Sequence, residues 1–525
     1  MHTYLRRTLP LILLITFFAA LFFGVKNQSH SIYFQDETEH VTLGWMVTDF
    51  NRNLYHDLST NHQPLPVLVG ALLAKVIPYA TFFEFVDRLR LSMWAFALVA
   101  SALIVTRFSW RGLLSVLLTY SLGHYFFAWH VLAESLVAPA VIWIFLAILD
   151  KKMTKLDSVI FGLASFWIVF SLMPLWPFVL LASLYYARES QNEQRKLLLI
   201  GFIAPAICLF SLINFFEWLQ EAVINNVLFF IPFEASGDSW HYLRLLIYPF
   251  LHFASPGEFI SRFYIAALSI GAACWLMVRA TVPKSKQHNL KIMLVIALLY
   301  LLNTRVSLPN SILFQGFHLF PYIAGISVLV SSGCIFLFHH LISRAHKKYL
   351  AFGVVLLVGL LLTNNLGWTW EKRNRLSDYN IQYDTFQAYG TALKTISHPG
   401  DSLLTGPDGS GYLNMMANVP LAGRQNFHLE WAYRVPYLRD AWLEMMRTNP
   451  PTFIYFNLKD DSYSRVLKPL IEANYAVLNR ADGSPTDLRM SKDALEKVTP
   501  EQWQKFEEQA FERPTFKTDS IRTDR

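Results

Sequence analysis

Long apolar segments alternate with short basic clusters over the first 366 residues of this 525-residue chain. An apolar segment of about 20 residues is long enough to cross the hydrocarbon core of a bilayer as a helix. The segments predicted as spans are 8–24, 88–106, 112–128, 134–149, 156–171, 172–187, 197–216, 262–279, 291–303, 320–342 and 349–366. The sequence therefore predicts a mainly α-helical, polytopic membrane bundle with about eleven spans.

Lysine and arginine lie mostly in the short connections between these segments. Basic clusters occur at 6–7, 107–111, 151–155, 188–196, 279–291 and 344–348. Because Lys and Arg accumulate in cytoplasmic loops, we expect a pair of helices, one outward and one returning, between successive clusters. This topology places the N-terminus in the cytoplasm and the C-terminus outside it. It also accounts for the net charge of +7 without nucleic acid, which is not predicted as a partner.

The apolar run 65–80 is treated separately from the predicted spans. It is bounded by Pro64, Pro66 and Pro78, contains Lys75, and is short for a crossing. Prolines at both ends favour a half-buried helix on the outer membrane surface. A crossing here is the alternative, and it would invert the predicted orientation of every later segment.

From residue 371 the composition becomes that of a soluble protein. Segments with a helical pattern at 384–397, 438–448 and 465–473 alternate with short β-branched or aromatic runs at 402–405, 452–457 and 475–478. This alternation predicts a small α/β layer, and the tail 499–525 has room for one more helix at most. We therefore predict two domains, a transmembrane module over 1–370 and an extracytoplasmic α/β domain with a charged tail over 371–525.

Acidic residues follow directly on the first apolar segment. Asp36 and Glu37 come first, and after Glu39 apolar residues recur at a spacing of three or four. These apolar residues are Leu43, Val47, Phe50 and Leu54. The spacing predicts an amphipathic helix that lies flat on the membrane. Asp36 and Glu39 also have capping-box spacing, so a structural role stays open beside the chemical one, in which a carboxylate serves as a general base.

Residues 34–66 resemble the first extracytoplasmic loop of the GT-C glycosyltransferases that use a polyprenyl-phosphate sugar. The resemblance is to the branch of protein mannosyltransferases and lipid A aminoarabinose transferases, where an Asp-Glu pair follows the first helix and a His/Lys-Pro-Pro-Leu-like motif comes later. Asp36-Glu37 and His62-Gln63-Pro64-Leu65 correspond to these elements. The sequence departs from the family at Gln63, and the lysine that binds phosphate in the aminoarabinose branch is missing.

The resemblance implies an inverting glycosyltransferase of the bacterial inner membrane. Its donor would be a polyprenyl-phosphate-linked sugar, and its acceptor a hydroxyl of an envelope glycan, lipid A or a protein. Asp36 would be the catalytic base, with Glu37 as the second catalytic acid. The residues expected to bind substrate are Asp57, His62, Gln63, Glu134, Arg244, Arg305 and His318. Asp36, Glu37 and His62 are also candidate ligands for a divalent metal ion, and no other cofactor is implied.

Structural alternatives accompany several of these residues. Arg244 and Arg305 fall on the outer side, where they could bind the lipid phosphate or extend to lipid headgroups. Glu134 could instead favour the dipole at a helix N-terminus, and His318 could be an interface histidine. His62 could be a polar loop residue before a proline turn.

Two other classes of protein stay open. A lipid or solute transporter would place charged groups near the bilayer midplane in repeated halves, whereas charges here gather at span ends and no repeat is visible. A non-catalytic membrane scaffold is the third class, and the departure at Gln63 keeps it under consideration.

Overall fold

The computed structural model describes residues 2–28, 35–78, 81–121, 123–150, 154–230, 259–281, 286–302, 316–340, 376–405, 411–424, 436–456 and 462–514. The chain forms two compact units. The first unit comprises Met1–Ile32, His62–Val69 and Val86–Leu376. The second comprises Tyr33–Asn61, Gly70–Phe85 and Ser377–Arg525. The second unit thus includes, besides the C-terminal region, two segments that flank the motif beginning at His62.

Helices make up most of the described chain. The α-helices are α1 (His2–Gln28), α2 (Gln35–Asp49), α3 (Pro64–Val76), α4 (Phe82–Tyr120), α5 (Ala133–Leu149), α6 (Lys155–Val169), α7 (Trp176–Glu189), α8 (Asn192–Leu212), α9 (Phe215–Trp218), α10 (Phe259–Thr281), α11 (Lys286–Leu302), α12 (Phe320–His340), α13 (Leu376–Ile396), α14 (Gly411–Ala417), α15 (Pro436–Thr448), α16 (Ser462–Asn474), α17 (Lys492–Leu495) and α18 (Pro500–Glu507). Short 3₁₀-helices span Gly123–Phe126, Met173–Leu175 and Gly316–Leu319, and π-helical turns span Leu219–Ile224 and Asn226–Phe230.

Where the structure describes them, the predicted spans coincide with helices, with three exceptions. The span 112–128 is α-helical to Tyr120 and continues as the 3₁₀-helix Gly123–Phe126, and 172–187 begins with the 3₁₀-helix Met173–Leu175. The span 197–216 is interrupted between Leu212 and Phe215. The predicted span 349–366 lies outside the described residues. Within the described part, four helices are long and apolar enough to cross a membrane: Thr8–Lys26, Phe82–Tyr120, Asn192–Leu212 and Phe320–Phe338. The chain is an integral membrane protein, and the number of about eleven crossings stays a prediction.

The break predicted between the second and third spans lies inside α4. Ser109 has φ 53° and ψ −128°, which interrupts the helix. Beyond the break, a Cβ on Gly112 would lie 2.8 Å from the carbonyl oxygen of Ile104, so the chain turns back on itself. Arg107, next to the turn, forms ion pairs with Asp157 (Nε–Oδ1, 2.5 Å) and Asp150 (Nη2–Oδ2, 3.0 Å). Arg107, which belongs to the basic cluster 107–111, therefore links this turn to the start of α6.

Helix α5 lies in the core of the first unit. Fifteen of its 17 residues are buried, and it packs against α6 and α12. Helix α6 in turn packs along α8 at very short range, because Gly162 and Gly201 face the partner backbone and leave no room for a Cβ. This packing of small residues is a known way for membrane helices to approach closely.

The second unit contains a four-stranded mixed sheet. Its strands are β1 (Leu403–Thr405), β2 (Phe453–Tyr455), β3 (Tyr475–Val477) and β4 (Leu488–Ser491), in the order β1-β2-β4-β3. β1 pairs with β2 in parallel, and the other two pairs are antiparallel. The predicted runs 402–405, 452–457 and 475–478 coincide with β1, β2 and β3. Strand β4 and helix α14 were not predicted.

Two predictions for the region before α4 have different outcomes. Helix α3 confirms a helix over most of 65–80, and it is half-buried, since Val67 is buried whereas Leu72 and Val76 are exposed.

The predicted amphipathic helix after Glu39 corresponds to α2, but the prediction is wrong about where the helix begins and about what surrounds it. The helix begins at Gln35, before the acids, and ends before Phe50. Residues 37–46 are buried all around the helix, because tertiary packing covers its polar face as well.

Candidate active site

The acidic pair lies in the first turn of α2. Asp36 is half-buried, and the side chain of Glu37 is 1% exposed. Because the first turn is the positive end of the helix dipole, it favours carboxylates. The capping box that the spacing left open would require Asp36 at the N-cap. Asp36 is inside the helix rather than at its N-cap, and the Glu39 carboxylate accepts a hydrogen bond from Thr60 (Oγ1–Oε1, 2.6 Å).

Helix α2 is held against the second half of α3 by two glycines. A Cβ on Gly44 would lie 2.7 Å from Ala71 Cα and nearer still to Ala71 N. A Cβ on Gly70 would lie 2.9 Å from Val41 Cα, and nearer to the His40 carbonyl. The two backbones are therefore in direct contact, and this contact fixes the position of the helix that carries Asp36 and Glu37.

The segment between α2 and α3 is a turn tied to the C-terminal region. Asp57 closes this turn, because its Oδ2 accepts hydrogen bonds from the backbone N (2.8 Å) and Nδ2 (3.1 Å) of Asn53. Arg424 donates from Nη2 to the carbonyl oxygen of Tyr55 at 2.8 Å, and its own carbonyl accepts from the amide of Ser59. All these residues belong to the second unit.

Gln63 uses both ends of its amide within the first unit. Its Nε2 donates to the carbonyl oxygen of Ala222 at 3.0 Å, and its Oε1 accepts from Trp218 Nε1 at 3.1 Å. Ala222 lies in the π-helical turn Leu219–Ile224, and the Gln63 side chain is buried. His62, beside it, is half-buried. Gln63 thus anchors the π-helical turn Leu219–Ile224. Such turns are rare and are often found at functional sites.

Glu134 and His318 are brought together by the fold. Glu134 Oε1 lies 2.8 Å from His318 Nδ1, and the side chains are 2% and 14% exposed. The contact joins the first turn of α5 to the 3₁₀-helix Gly316–Leu319, which leads directly into α12. Both residues were predicted to bind substrate, and the pairing between them was not predicted.

The remaining predicted residues have different outcomes. Arg244 and Arg305 lie outside the described residues. Across the described ranges, no group of three or more His, Cys, Asp or Glu side chains is placed to hold a metal ion. The metal site at Asp36, Glu37 and His62 therefore stays a prediction from the sequence, and no chemical step is assigned to it.

Some buried charged residues of the described chain were not in the predicted set. These are Glu39, Arg90, Asp157 and Glu221. Glu221 lies in the π-helical turn and accepts a hydrogen bond from Asn225 (Nδ2–Oε2, 3.3 Å). Sequence offers little signal for such a residue, because i,i+4 spacing of Glu and Asn is common on exposed helices and a π-turn has no distinctive pattern.

Comparison with solved structures finds the crystal structure of ArnT from Cupriavidus metallidurans bound to undecaprenyl phosphate. The TM-score is 0.51 at 13% sequence identity, and the match covers 91% of this chain and 97% of that chain. The apo structure of the same protein gives a TM-score of 0.49 at the same identity and coverage. No protein-family model matches the sequence, and neither does any curated protein. The chain therefore has an ArnT-like fold, which confirms the resemblance at the level of the fold.

Proposed function

We propose that the protein is a membrane glycosyltransferase that transfers a sugar from a polyprenyl-phosphate donor to an acceptor hydroxyl. One observation carries the proposal. The fold match extends over 91% of this chain and 97% of a structure that holds undecaprenyl phosphate. The buried acidic start of α2 adds carboxylates of the kind that hydroxyl activation needs.

The reaction is a single in-line displacement with inversion at the anomeric carbon. The acceptor oxygen attacks that carbon while Asp36 takes the hydroxyl proton. The bond between the anomeric carbon and the phosphate oxygen breaks, and its electron pair stays on the phosphate. Glu37, adjacent in the same helical turn, is the second catalytic carboxylate. The acceptor is a hydroxyl of an envelope glycan, lipid A or a protein.

Binding of the lipid-linked donor is assigned to the residues that the resemblance implies. These are Asp57, His62, Gln63, Glu134, Arg244, Arg305 and His318. Within this set, Glu134 and His318 are in contact, which supports a common role for the two. The protein is placed in the bacterial inner membrane with its N-terminus in the cytoplasm and its C-terminus outside.

The test uses the purified full-length protein in nanodiscs. Radiolabelled polyprenyl-phosphate sugars, among them mannose and aminoarabinose derivatives, are incubated with the protein and an envelope fraction, and transferred label is counted. Asp36→Asn should lower the transfer rate by a factor of about 10² to 10⁴, the usual contribution of a general base. Binding of undecaprenyl phosphate should stay within twofold, since the base acts on the acceptor.

Asp49→Asn is the matched control, because Asp49 is the exposed last residue of the same helix. It should transfer at the wild-type rate. Full activity of Asp36→Asn would remove Asp36 as the base. A wild-type protein that neither transfers any of these sugars nor binds undecaprenyl phosphate would contradict the function itself.

A further inference from the structure

Three half-buried basic residues lie on three helices of the first unit. They are Arg111 in α4, Arg279 in α10 and Lys291 in α11. All three belong to basic clusters of the sequence, so the end of the bundle that carries them is predicted to face the cytoplasm. The proposed sugar transfer, which is assigned to the opposite side of the membrane, uses none of them.

Arg111 is placed beside α12 by a contact one helical turn away. Ser115 Oγ and Ser331 Oγ are 2.7 Å apart, so α4 and α12 are in contact at this level. Ser115 also donates to the carbonyl oxygen of Arg111 at 2.7 Å. Because residues four positions apart lie on the same face of a helix, Arg111 lies on the face of α4 that meets α12.

Arg279 lies beside the same part of α12. Its guanidinium carbon is 5.3 Å from the centroid of the Trp275 ring, in a cation–π contact. Trp275 in turn packs on α12, with its ring centroid 5.1 Å from that of Phe336. Phe336 comes shortly after Ser331 in α12. The contacts of Arg279 and those of Arg111 therefore meet the last part of one helix.

Lys291 brings a third positive charge to this place. Helix α11 packs against α7, α10 and α12. Arg279 and Arg111 act on Lys291 as like charges, and Arg111 acts on Arg279 in the same way. Glu189, the last residue of α7, and Asp150 attract Lys291. Arg111, Arg279 and Lys291 thus form one cationic cluster.

The neighbouring carboxylates do not neutralise the cationic cluster. Asp150 already forms an ion pair with Arg107 (Nη2–Oδ2, 3.0 Å), as does Asp157. This leaves Glu189 against the three positive charges of the cluster. Like charges repel more strongly when they are half-buried, because the effective dielectric constant is lower there than in water. A bound anion would relieve this repulsion, so the cluster has the electrostatics of an anion site.

The helix surface next to the cationic cluster is apolar. Met277 of α10 is 59% exposed, and Met293 and Ile296 of α11 are 67% and 49% exposed. These residues lead from the cations toward the middle of the two predicted spans. The acyl chains of a phospholipid cover apolar surface of this kind, whereas a soluble anion does not. Basic pockets between membrane helices on the cytoplasmic side are a known kind of site for lipid head groups.

We infer that Arg111, Arg279 and Lys291 bind the phosphate group of an anionic phospholipid of the cytoplasmic leaflet, with the acyl chains along α10 and α11. Charge-assisted hydrogen bonds from arginine and lysine to phosphate are strong. A zwitterionic lipid is disfavoured, because the cluster repels its ammonium group. The inference does not depend on the proposed sugar transfer, since this lipid is neither the donor nor the acceptor.

The test titrates the purified full-length protein in neutral detergent with phosphatidylglycerol or phosphatidylcholine of identical acyl chains. Native mass spectrometry reports the occupancy of the first lipid bound. The wild type should bind phosphatidylglycerol more tightly. Lys291→Gln and Arg111→Gln should each weaken the binding of phosphatidylglycerol about tenfold, as expected for the loss of a hydrogen bond to a charged group. Binding of phosphatidylcholine should change much less, because that lipid has no net charge.

Lys196→Gln is the matched control, because Lys196 is exposed, belongs to the basic cluster 188–196 and carries the same charge. It should bind both lipids as the wild type does. Lys291→Arg keeps the positive charge and should retain the preference for phosphatidylglycerol. Added phosphatidylglycerol should also raise the Tm of the wild type more than that of Lys291→Gln, because a ligand stabilises the state that binds it.

Several outcomes would overturn the inference. Equal binding of the two lipids by the wild type is one, and an unchanged preference in Lys291→Gln and Arg111→Gln is another. Equal losses in Lys291→Gln and Lys196→Gln would show that general surface charge explains the binding. Displacement of phosphatidylglycerol by inorganic phosphate would assign the cluster to a soluble anion instead of a lipid. If one of the two glutamine variants of the cluster does not fold, the other decides the question alone.

Discussion

The position of helix α2, which carries the proposed base Asp36, depends on the absence of a side chain at Gly44. The mutation Gly44→Ala adds a single methyl group where α2 crosses α3. The new Cβ would lie 2.7 Å from Ala71 Cα, whereas ordinary contact begins at 3.4 Å. The two helices must therefore separate by at least 0.7 Å. A side-chain rotation cannot relieve the collision, because the atoms in contact belong to the backbone.

Two opposing terms determine the effect of Gly44→Ala on stability. Alanine is favoured over glycine inside a helix by about 1 kcal/mol. Overpacking of a tight core typically costs about 1 to 3 kcal/mol, and a collision with backbone belongs at the upper end. We therefore expect a net loss of about 1 to 2 kcal/mol in the free energy of unfolding. The effect on catalysis should be larger, since a displacement of about 1 Å can reduce a rate about 100-fold.

The assay compares thermal unfolding, followed by tryptophan fluorescence, with sugar transfer in nanodiscs. Gly271→Ala is the matched control, because among the described residues its Cβ would meet the side-chain methyl groups of Val330, at 3.3 Å and 3.9 Å, and no backbone atom. This control should be as stable as the wild type or slightly more so, with unchanged transfer. A Gly44→Ala variant with wild-type Tm and wild-type kcat/KM would refute the reasoning, because it would show that α2 and α3 are not in backbone contact.

Two further predictions concern the turn at Ser109. Ser109→Gly should raise the free energy of unfolding by about 1 kcal/mol, because Ser109 has a positive φ that glycine adopts without strain; an unchanged or lower Tm would contradict this. Arg107→Ala should lower the free energy of unfolding by about 3 kcal/mol, since the mutation leaves the 3% exposed side chain of Asp157 without its cation. As a control, Arg188→Ala should cost less than about 0.5 kcal/mol, because the Arg188 side chain is 67% exposed and lies 4.0 Å from the Glu189 carboxylate. Equal losses in both arginine variants would refute the burial argument.

The helical bundle was predictable because each apolar segment has its own length signal. The segments 134–149 and 156–171, for example, correspond to α5 and α6 within one or two residues at each end. The turn at Ser109 was also signalled, since the arginines beside it interrupt the apolar pattern. These are local properties of the sequence, and neighbouring residues suffice to reveal them.

The surroundings of α2 and the strand β4 could not be predicted in the same way. The polar residues of α2 look solvent-exposed in sequence, and they are buried because distant segments pack on them. Strand β4 spans only Leu488–Ser491 and includes Arg489, so its alternation of buried and half-buried residues is too short to stand out. Its pairing with β2 and β3 supplies what the local pattern lacks.

The candidate site illustrates the same limit. Glu134 and His318 could each be singled out by position along the chain, and neither gives any sign of the other at a distance of 184 residues. The contacts of Gly44 and Gly70 could not be predicted from the sequence either. A glycine within a helix suggests lower helix stability, and nothing local indicates that a second helix crosses there. Contacts between residues so far apart in sequence are determined by the fold, and they cannot be predicted from the neighbouring residues.

The neutral side chain of Gln63 does not supply the positive charge that binding of a lipid phosphate would need. An amide can donate and accept at the same time, and Gln63 does both, toward Ala222 and Trp218. A lysine has three donors and no acceptor, so it could not make the same bridge to Trp218. Gln63 thus holds the π-helical turn Leu219–Ile224 through a neutral side chain. A cation for the phosphate of the proposed donor has to come from another residue.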